Sequence, residues 1–311
     1  MTNYFISICI PAYKNAVLFE RLLHSIKIQS YTNFDVIVTD DSSDNGLAEI
    51  CRQYQSFFKL TYVKNLQPLG SPANWNACIA LATGNWIKIM HHDDWFAGDT
   101  ALAAFADAAS NSTAKFIFSG FHWHNGTTIL RTHNLSKQNQ RQLSRMPLML
   151  FKENVVGNPS TTLIKNEQMF SYDERLKWVV DFEFYMRVIA SYGLFVIPKP
   201  LVNIGIGSHQ ITATAFRNPE VEVPENMYLL QKLGNGILKN RYVYDYYWRF
   251  LRNLNIRSVE QLRGFTADGA VPLPIITMLN FQSAIPMRIL KFGPASKILM
   301  GLHFLSTQLK N

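Results

Sequence analysis

Between residues 4 and 120, short apolar runs rich in β-forming residues alternate with stretches whose apolar positions recur every three or four residues. That rhythm predicts β-α units around a mostly parallel sheet. Residues 4–10 read as the first strand, closed by Pro11. Val17, Leu18, Leu22, Leu23 and Ile26 then line one side of a helix, with Arg21 and His24 opposite. Residues 34–39 form the second expected strand, bounded by Asp40-Asp41-Ser42-Ser43, and Leu47, Ile50, Cys51 and Tyr54 the next helical stripe. A third strand is expected over 60–63 and a helix over 73–82, with Gly84 as its C-cap. The fourth strand, 86–90, runs directly into His91-His92-Asp93-Asp94.

Beyond Ser110 the pattern weakens. A strand is expected at 116–118, a polar loop over 126–145, a strand at 160–164, a helix over 181–191 and a strand at 194–197. After Pro224 the chain turns helical, aromatic and basic, with Tyr242, Tyr244, Tyr246, Tyr247, Trp248 and Phe250 close together. The expected organisation is an α/β domain over 1–223 and a helical extension over 224–311.

Composition narrows the class. Of 311 residues, 48% are hydrophobic and 17% charged, which excludes a disordered chain. The net charge of +8 points to acidic company, whether nucleic acid, a phosphorylated small molecule or an anionic membrane. From Gly234 onward, Asp245, Glu260 and Asp268 face ten Lys and Arg, so the excess belongs mainly to the tail. Basic residues among aromatics also suit nucleic acid, but no binding module is present and no nucleic-acid partner is expected. Cys9, Cys51 and Cys78 are widely spaced with no CxxC, which excludes a disulfide framework and a zinc knuckle. A reducing compartment follows, and the N-terminal apolar run is too short for a secretory signal, so a cytoplasmic chain is expected. The longest uncharged stretch, 269–287, is interrupted by Pro272, Pro274 and Pro286 and makes a poor membrane span.

Ligands of open α/β sheets gather at the carboxyl ends of strands, where both acidic pairs fall. Asp40 or Asp41 could accept hydrogen bonds from a base or a ribose, or could simply cap a helix. Four polar groups after the strand WIKIM are costly to bury unless paired or bound to a cation, and a hard divalent ion on carboxylates suits a diphosphate. The alternative is a turn in which Asp93 or Asp94 caps a helix near 98–107. Asp181 lies among Val179, Val180, Phe184 and Met186, where burial would raise its pKa and suit it to accept a proton. Glu183, four residues before Arg187, reads as a surface salt-bridge partner. His209 in GIGSHQIT is a lone histidine, and Gly205 and Gly207 complete no dinucleotide fingerprint.

Together the blocks SICIPAYKNAVLFERLLHSIKIQSYTNFDVIVTDDSSDNG, NLQPLGSPANWNACIALATGNWIKIMHHDDW, GNPSTTLIKN and DERLKWVVDFEFYMRV resemble the inverting glycosyltransferases of family 2, over residues 5–210. The resemblance implies a GT-A fold, a Rossmann-like sheet flanked by helices that binds nucleotide-diphospho-sugars. It implies that Pro11, Ala12 and Tyr13 form the first loop against the nucleoside, that Asp40 contacts the base, and that Asn76 belongs to the donor site. Asp93, with Asp94 beside it, would be the metal-binding end of a DxD-like motif, and Asp181 the general base. His91 stands where relatives carry the first Asp of that motif. It is a further candidate metal ligand, as is His209, which would reach the diphosphate. Val180-Asp181 replaces the Glu-Asp pair of many relatives and leaves one carboxylate as base.

The implied activity is inverting transfer of a sugar from a nucleotide-diphosphate donor to a glycan or lipid-linked acceptor, assisted by Mn2+ or Mg2+, in bacterial surface polysaccharide synthesis (O-antigen, capsule or exopolysaccharide). The basic tail could touch an anionic membrane peripherally. Two other classes stay open at this point. One is a metal-dependent phosphoester hydrolase built on His91, His92, Asp93 and Asp94, and the other a non-catalytic nucleotide- or glycan-binding protein.

Overall fold

The computed structural model describes residues 4–167, 170–207, 215–266 and 270–309. The chain divides into two compact units, one formed by Met1–Pro147, Val155–Glu174 and Phe184–Ser208, the other by Leu148–Asn154, Arg175–Glu183 and His209–Asn311. The boundary expected after residue 223 lies inside a helix, Pro219–Leu233.

The first unit carries a nine-stranded sheet among the described residues. Its strands are β1 (Ile6–Ala12), β2 (Phe34–Asp40), β3 (Leu60–Lys64), β4 (Trp86–Ile89), β5 (Trp95–Phe96), β6 (Phe116–His124), β7 (Ile129–His133), β8 (Thr162–Lys165) and β9 (Phe195–Gly205). They lie in the order β3-β2-β1-β4-β8-β6-β9-β5, with β7 paired to β6. The sheet is parallel from β3 to β4. Beyond β4 it is mixed: β8 runs antiparallel to both its neighbours, while β6 and β9 are parallel. This is the α/β architecture expected, and its register lines up the carboxyl ends that matter. Ala12 faces Asp40 across β1 and β2, and Cys9 faces Ile89 across β1 and β4.

Every residue of β1 is buried, as a central strand covered on both faces requires. Ile6, Ile8 and Ile10 pack with Val36 and Val38 of β2 and with Phe19, Leu22, Leu23 and Ile26 of α1 (Ala16–Lys27). Each such side chain contributes about 1.5–3 kcal/mol by leaving water. Val17, expected on that stripe, is 77% exposed, and Phe19 takes the inward position. Pro11 does not close β1 but lies within it. It is tolerated because β4 pairs only as far as Ile89, leaving Pro11 with one neighbouring strand.

Three further helices complete the first half: α2 (Gly46–Tyr54), α3 (Ala73–Ala80) and α4 (Ala101–Asn111). Because α3 ends at Ala80, Gly84 is not its C-cap. A Cβ on Gly84 would lie 2.5 Å from the Ser7 amide nitrogen, so glycine is needed there for close backbone approach. The polar stretch 126–145 is not a loop: it holds β7 and α5 (Lys137–Arg145). Both were hidden because they bury little. Ile129 and Leu130 stay exposed, and α5 buries only Leu143.

The second unit is helical, with helices Pro219–Leu233, Arg241–Asn253, Val259–Arg263, Leu273–Ser283, Met287–Lys291 and Gly293–Gln308. The aromatic run of Arg241–Asn253 is largely core. Tyr247 and Trp248 are buried, the first donating to the Asn226 carbonyl at 2.9 Å and the second to Ser296 Oγ at 3.0 Å. Among the described residues no helix is long and apolar enough to cross a membrane.

Candidate active site

The carboxyl ends of β1 and β2 form one continuous edge. The Asp41 amide donates to the Ala12 carbonyl at 3.0 Å and the Lys14 amide to Ser42 Oγ at 2.6 Å. Pro11 and Ala12 are buried, whereas Tyr13 is half exposed. Lys14 and Asn15 follow at φ 53° and 52°, a left-handed pair without glycine that costs on the order of 1–3 kcal/mol per residue. The turn delivers Asn15 to cap α1, where its side chain accepts from the Leu18 amide.

Asp40 is fully buried and both its oxygens are engaged. Oδ1 accepts from the Ser42 amide at 2.8 Å and Oδ2 from the Tyr62 hydroxyl at 2.7 Å. Neither acid caps α2, whose N-cap is Asn45. Asp41 instead gathers the loop before α3, accepting from Asn65 Nδ2 at 2.7 Å and from the Leu69 and Gly70 amides at 3.0 and 2.8 Å. Asn76 spans 96 residues of sequence. Its amide donates to the Tyr172 carbonyl at 2.9 Å and to Glu174 at 3.0 Å, and its oxygen accepts from the Tyr172 amide at 2.8 Å.

The acidic loop after β4 packs three candidate ligands closely together. One ligand atom from each of His91, Asp93 and Asp94 lies within 4.8 Å of the others. Neither acid caps α4, which is preceded by Thr100. Burial pushes the His91 imidazole down to about 4, so the ring is neutral and a lone pair is open to a metal. Its Nε2 is buried with no hydrogen-bond partner among the described residues. Burial, and then the neighbouring Asp93 charge, push the Asp94 carboxyl up to about 8. Two crowded carboxylates beside an unpaired neutral imidazole are a donor set that a divalent cation fits, since positive charge relieves what burial penalises.

Distant segments brace this loop. Asn158 Nδ2 donates to Asp94 Oδ2 at 2.6 Å, the Gly205 amide to Asp94 Oδ1 at 3.0 Å, and the His91 amide to Ser160 Oγ at 2.9 Å. Arg21 stacks on Trp95 at 3.5 Å and donates to the Asp93 carbonyl at 2.7 Å. Lys88, fully buried in β4, donates to the Ser160 carbonyl and, at 3.2 Å, to that of Ile89. Burial drives its ammonium down to about 7 while Asp94 opposes the shift. Arg21, Lys88 and Gly205 carried no functional signal in the sequence beyond one charge inside an apolar strand. The Gly157-Asn158-Pro159-Ser160 segment, which from sequence could belong to the acceptor half or be a proline turn between two elements, supplies two of the braces.

Asp181 belongs to the second unit, in the first turn of α6 (Val180–Tyr192). The residue is half-buried but its Oδ1 is enclosed, with no partner among the described residues, and burial raises the carboxyl to about 7. Glu225, invisible as a functional residue from sequence, fixes the approach to that turn. Its carboxylate accepts from the amides of Lys177, Trp178 and Val179 at 2.9, 2.8 and 3.1 Å. Glu183 does not lie on the surface. It is 1% exposed and pairs with Lys232 at 2.9 Å, while Arg187 donates to the Ser171 carbonyl. His209 lies outside the described residues.

Residues 7–168, more than half of the chain, match the sequence profile of Glycosyl transferase family 2. WcaA of Escherichia coli (strain K12), named for colanic acid biosynthesis glycosyl transfer, is 26% identical over 218 residues, covering 68% of this chain and 77% of WcaA. Residues 1–349 of Staphylococcus aureus TarS, solved with UDP-GlcNAc, superpose with a TM-score of 0.64 at 16% identity, over 96% of this chain and 89% of that one. Full TarS is longer, and this chain spans 53% of it. The mannosyltransferase PcManGT of Pyrobaculum calidifontis, solved with GDP-Man and Mn2+, gives a TM-score of 0.57 at 16% identity, over 100% of this chain and 88% of that one. At such identities the two structural likenesses establish the fold.

Proposed function

This chain belongs to glycosyl transferase family 2, a glycosyltransferase of the GT-A fold, and from that premise we propose that it transfers one sugar, with inversion, from a nucleotide-diphosphate sugar to a hydroxyl of a glycan or lipid-linked acceptor in bacterial surface polysaccharide assembly. The observation that carries the reading is the His91, Asp93 and Asp94 donor set at the carboxyl end of β4, inside the family 2 region. A divalent cation, Mn2+ or Mg2+, held there supplies the positive charge that a departing diphosphate needs.

The chain's own groups do the rest. Pro11, Ala12 and Tyr13, with the Asp40–Ser42 turn, form the nucleoside side of the donor site, and Asn76 belongs to the same nucleotide-sugar site. Asn158, Ser160, Gly205 and Arg21 hold the acidic loop in one geometry before substrate arrives, so that little reorganisation is required during reaction. Asp181, lifted to about 7, takes the proton from the acceptor hydroxyl as that oxygen attacks the face opposite the diphosphate. His209 is assigned to the diphosphate. A metal-dependent phosphoester hydrolase built on His91, His92, Asp93 and Asp94 would call for further ligands converging from distant segments, and among the described residues His91, Asp93 and Asp94 form the one group of three or more ligating side chains.

The test is thermal denaturation of the full chain with each nucleoside diphosphate, with and without Mn2+. Ligand at a hundredfold excess over its Kd stabilises by about 2.7 kcal/mol. One nucleotide should raise Tm far more with the metal than without it, and Asp93→Asn should remove the metal-dependent part. No rise with any nucleotide under either condition would refute the donor class.

A further inference from the structure

The helix Gly293–Gln308 turns its large aliphatic side chains outward. Its buried residues are Ser296, Met300 and His303. Ser296 and His303 are held by polar contacts from Arg241–Asn253: Trp248 donates to Ser296 Oγ at 3.0 Å, and the Tyr244 hydroxyl pairs with His303 Nδ1. Ile298, Leu302 and Leu305 are 65%, 60% and 60% exposed, and Leu309, just past the helix end, 89%. Spacings of four, three and four residues put these side chains on one stripe. Phe292, immediately before the helix, is 62% exposed beside it. A contiguous apolar stripe of this kind marks a surface that meets something apolar.

Charge selects the partner. Residues 269–311 contain no Asp or Glu, and Arg288, Lys291 and Lys297 are exposed next to the stripe. A twofold pairing of two copies through this face would bring like charges together. A bilayer with anionic headgroups offers both an apolar interior and opposite charge, and a helix that cannot cross it can lie in its interface. We propose that the outward face of Gly293–Gln308 seats this protein on an anionic membrane surface. The proposal goes beyond the sugar-transfer reading and does not depend on it.

Flotation of the full chain with vesicles tests it, using phosphatidylcholine alone and phosphatidylcholine with roughly 30 mol% phosphatidylglycerol. The protein should float with the anionic vesicles at low salt and release as NaCl approaches ~0.5 M. Ile298→Gln, Leu302→Gln and Leu305→Gln combined should weaken partitioning about a hundredfold. Since all three side chains already face solvent, Tm and nucleotide affinity should not change. Lys291→Gln and Lys297→Gln should each cost about fivefold, and provide a second readout that does not touch the apolar stripe. Equal flotation of the wild type and the triple variant would overturn the proposal. So would failure of the wild type to bind anionic vesicles, or a dimer in sedimentation velocity that the triple variant abolishes.

Discussion

Replacing Asp181 by Asn tests the proposed base through stability as well as turnover. In the folded chain burial holds this carboxyl near 7, against an ordinary value of 3.8, so the folded state keeps a proton that the unfolded state releases. A raised acid therefore leaves stability intact below about pH 4 and withdraws it progressively as pH climbs to about 7, beyond which the loss is constant. A displacement of that size is worth about 4 kcal/mol, and partial exposure of the residue reduces that to about 1–3 kcal/mol. Asn matches the shape without the charge. The variant should unfold at nearly the same urea concentration as the wild type at pH 4, be more stable by about 1–3 kcal/mol at pH 8, and transfer no sugar at either pH. The wild type's kcat should rise as pH passes through about 7, as its base deprotonates. Urea melts at the two pH values and a sugar-transfer assay are sufficient. A stability gap independent of pH would refute the buried-charge argument, and retention of most transfer would remove Asp181 as the base.

Two further substitutions probe how the site is held. Gly205→Ala adds a Cβ that would lie 2.4 Å from the Asp93 carbonyl oxygen, and should destabilise by about 1–3 kcal/mol and lower metal-dependent nucleotide binding; an unchanged melting curve would show that the loop has room to give. Glu225→Gln keeps the shape but loses charge-assisted acceptance from three amides, and should cost about 1–3 kcal/mol in urea melts. Its transfer rate should fall with little change in donor affinity, and an unchanged kcat would separate Glu225 from the positioning of Asp181.

How much could be read from the chain depended on distance along it. The strands of the first four β-α units are mostly apolar runs bounded by turn formers, so local pattern was enough. β7 and α5 escaped notice because an exposed edge strand and a helix with one buried residue leave no apolar stripe. The acidic loop was visible as four polar residues after an apolar strand. Its supports come from Arg21, Asn158, Ser160 and Gly205, 64 to 111 residues away, and no local spacing encodes them. Glu183 shows the same limit in reverse. An attractive four-residue spacing to Arg187 suggested a surface pair, whereas the fold buries Glu183 and gives it Lys232.

Bracing from so many places has a consequence for anyone redesigning this protein. Grafting the His91–Asp94 loop of another sugar-transferring enzyme into this scaffold would import side chains without their tethers, because the Asn158–Ser160 turn and the end of β9 are shaped to this one loop. Such a graft would have to carry the Asn158–Ser160 turn, the end of β9 and the residue at Arg21 along with the loop, and a library that randomises the loop alone would leave those tethers without their partners.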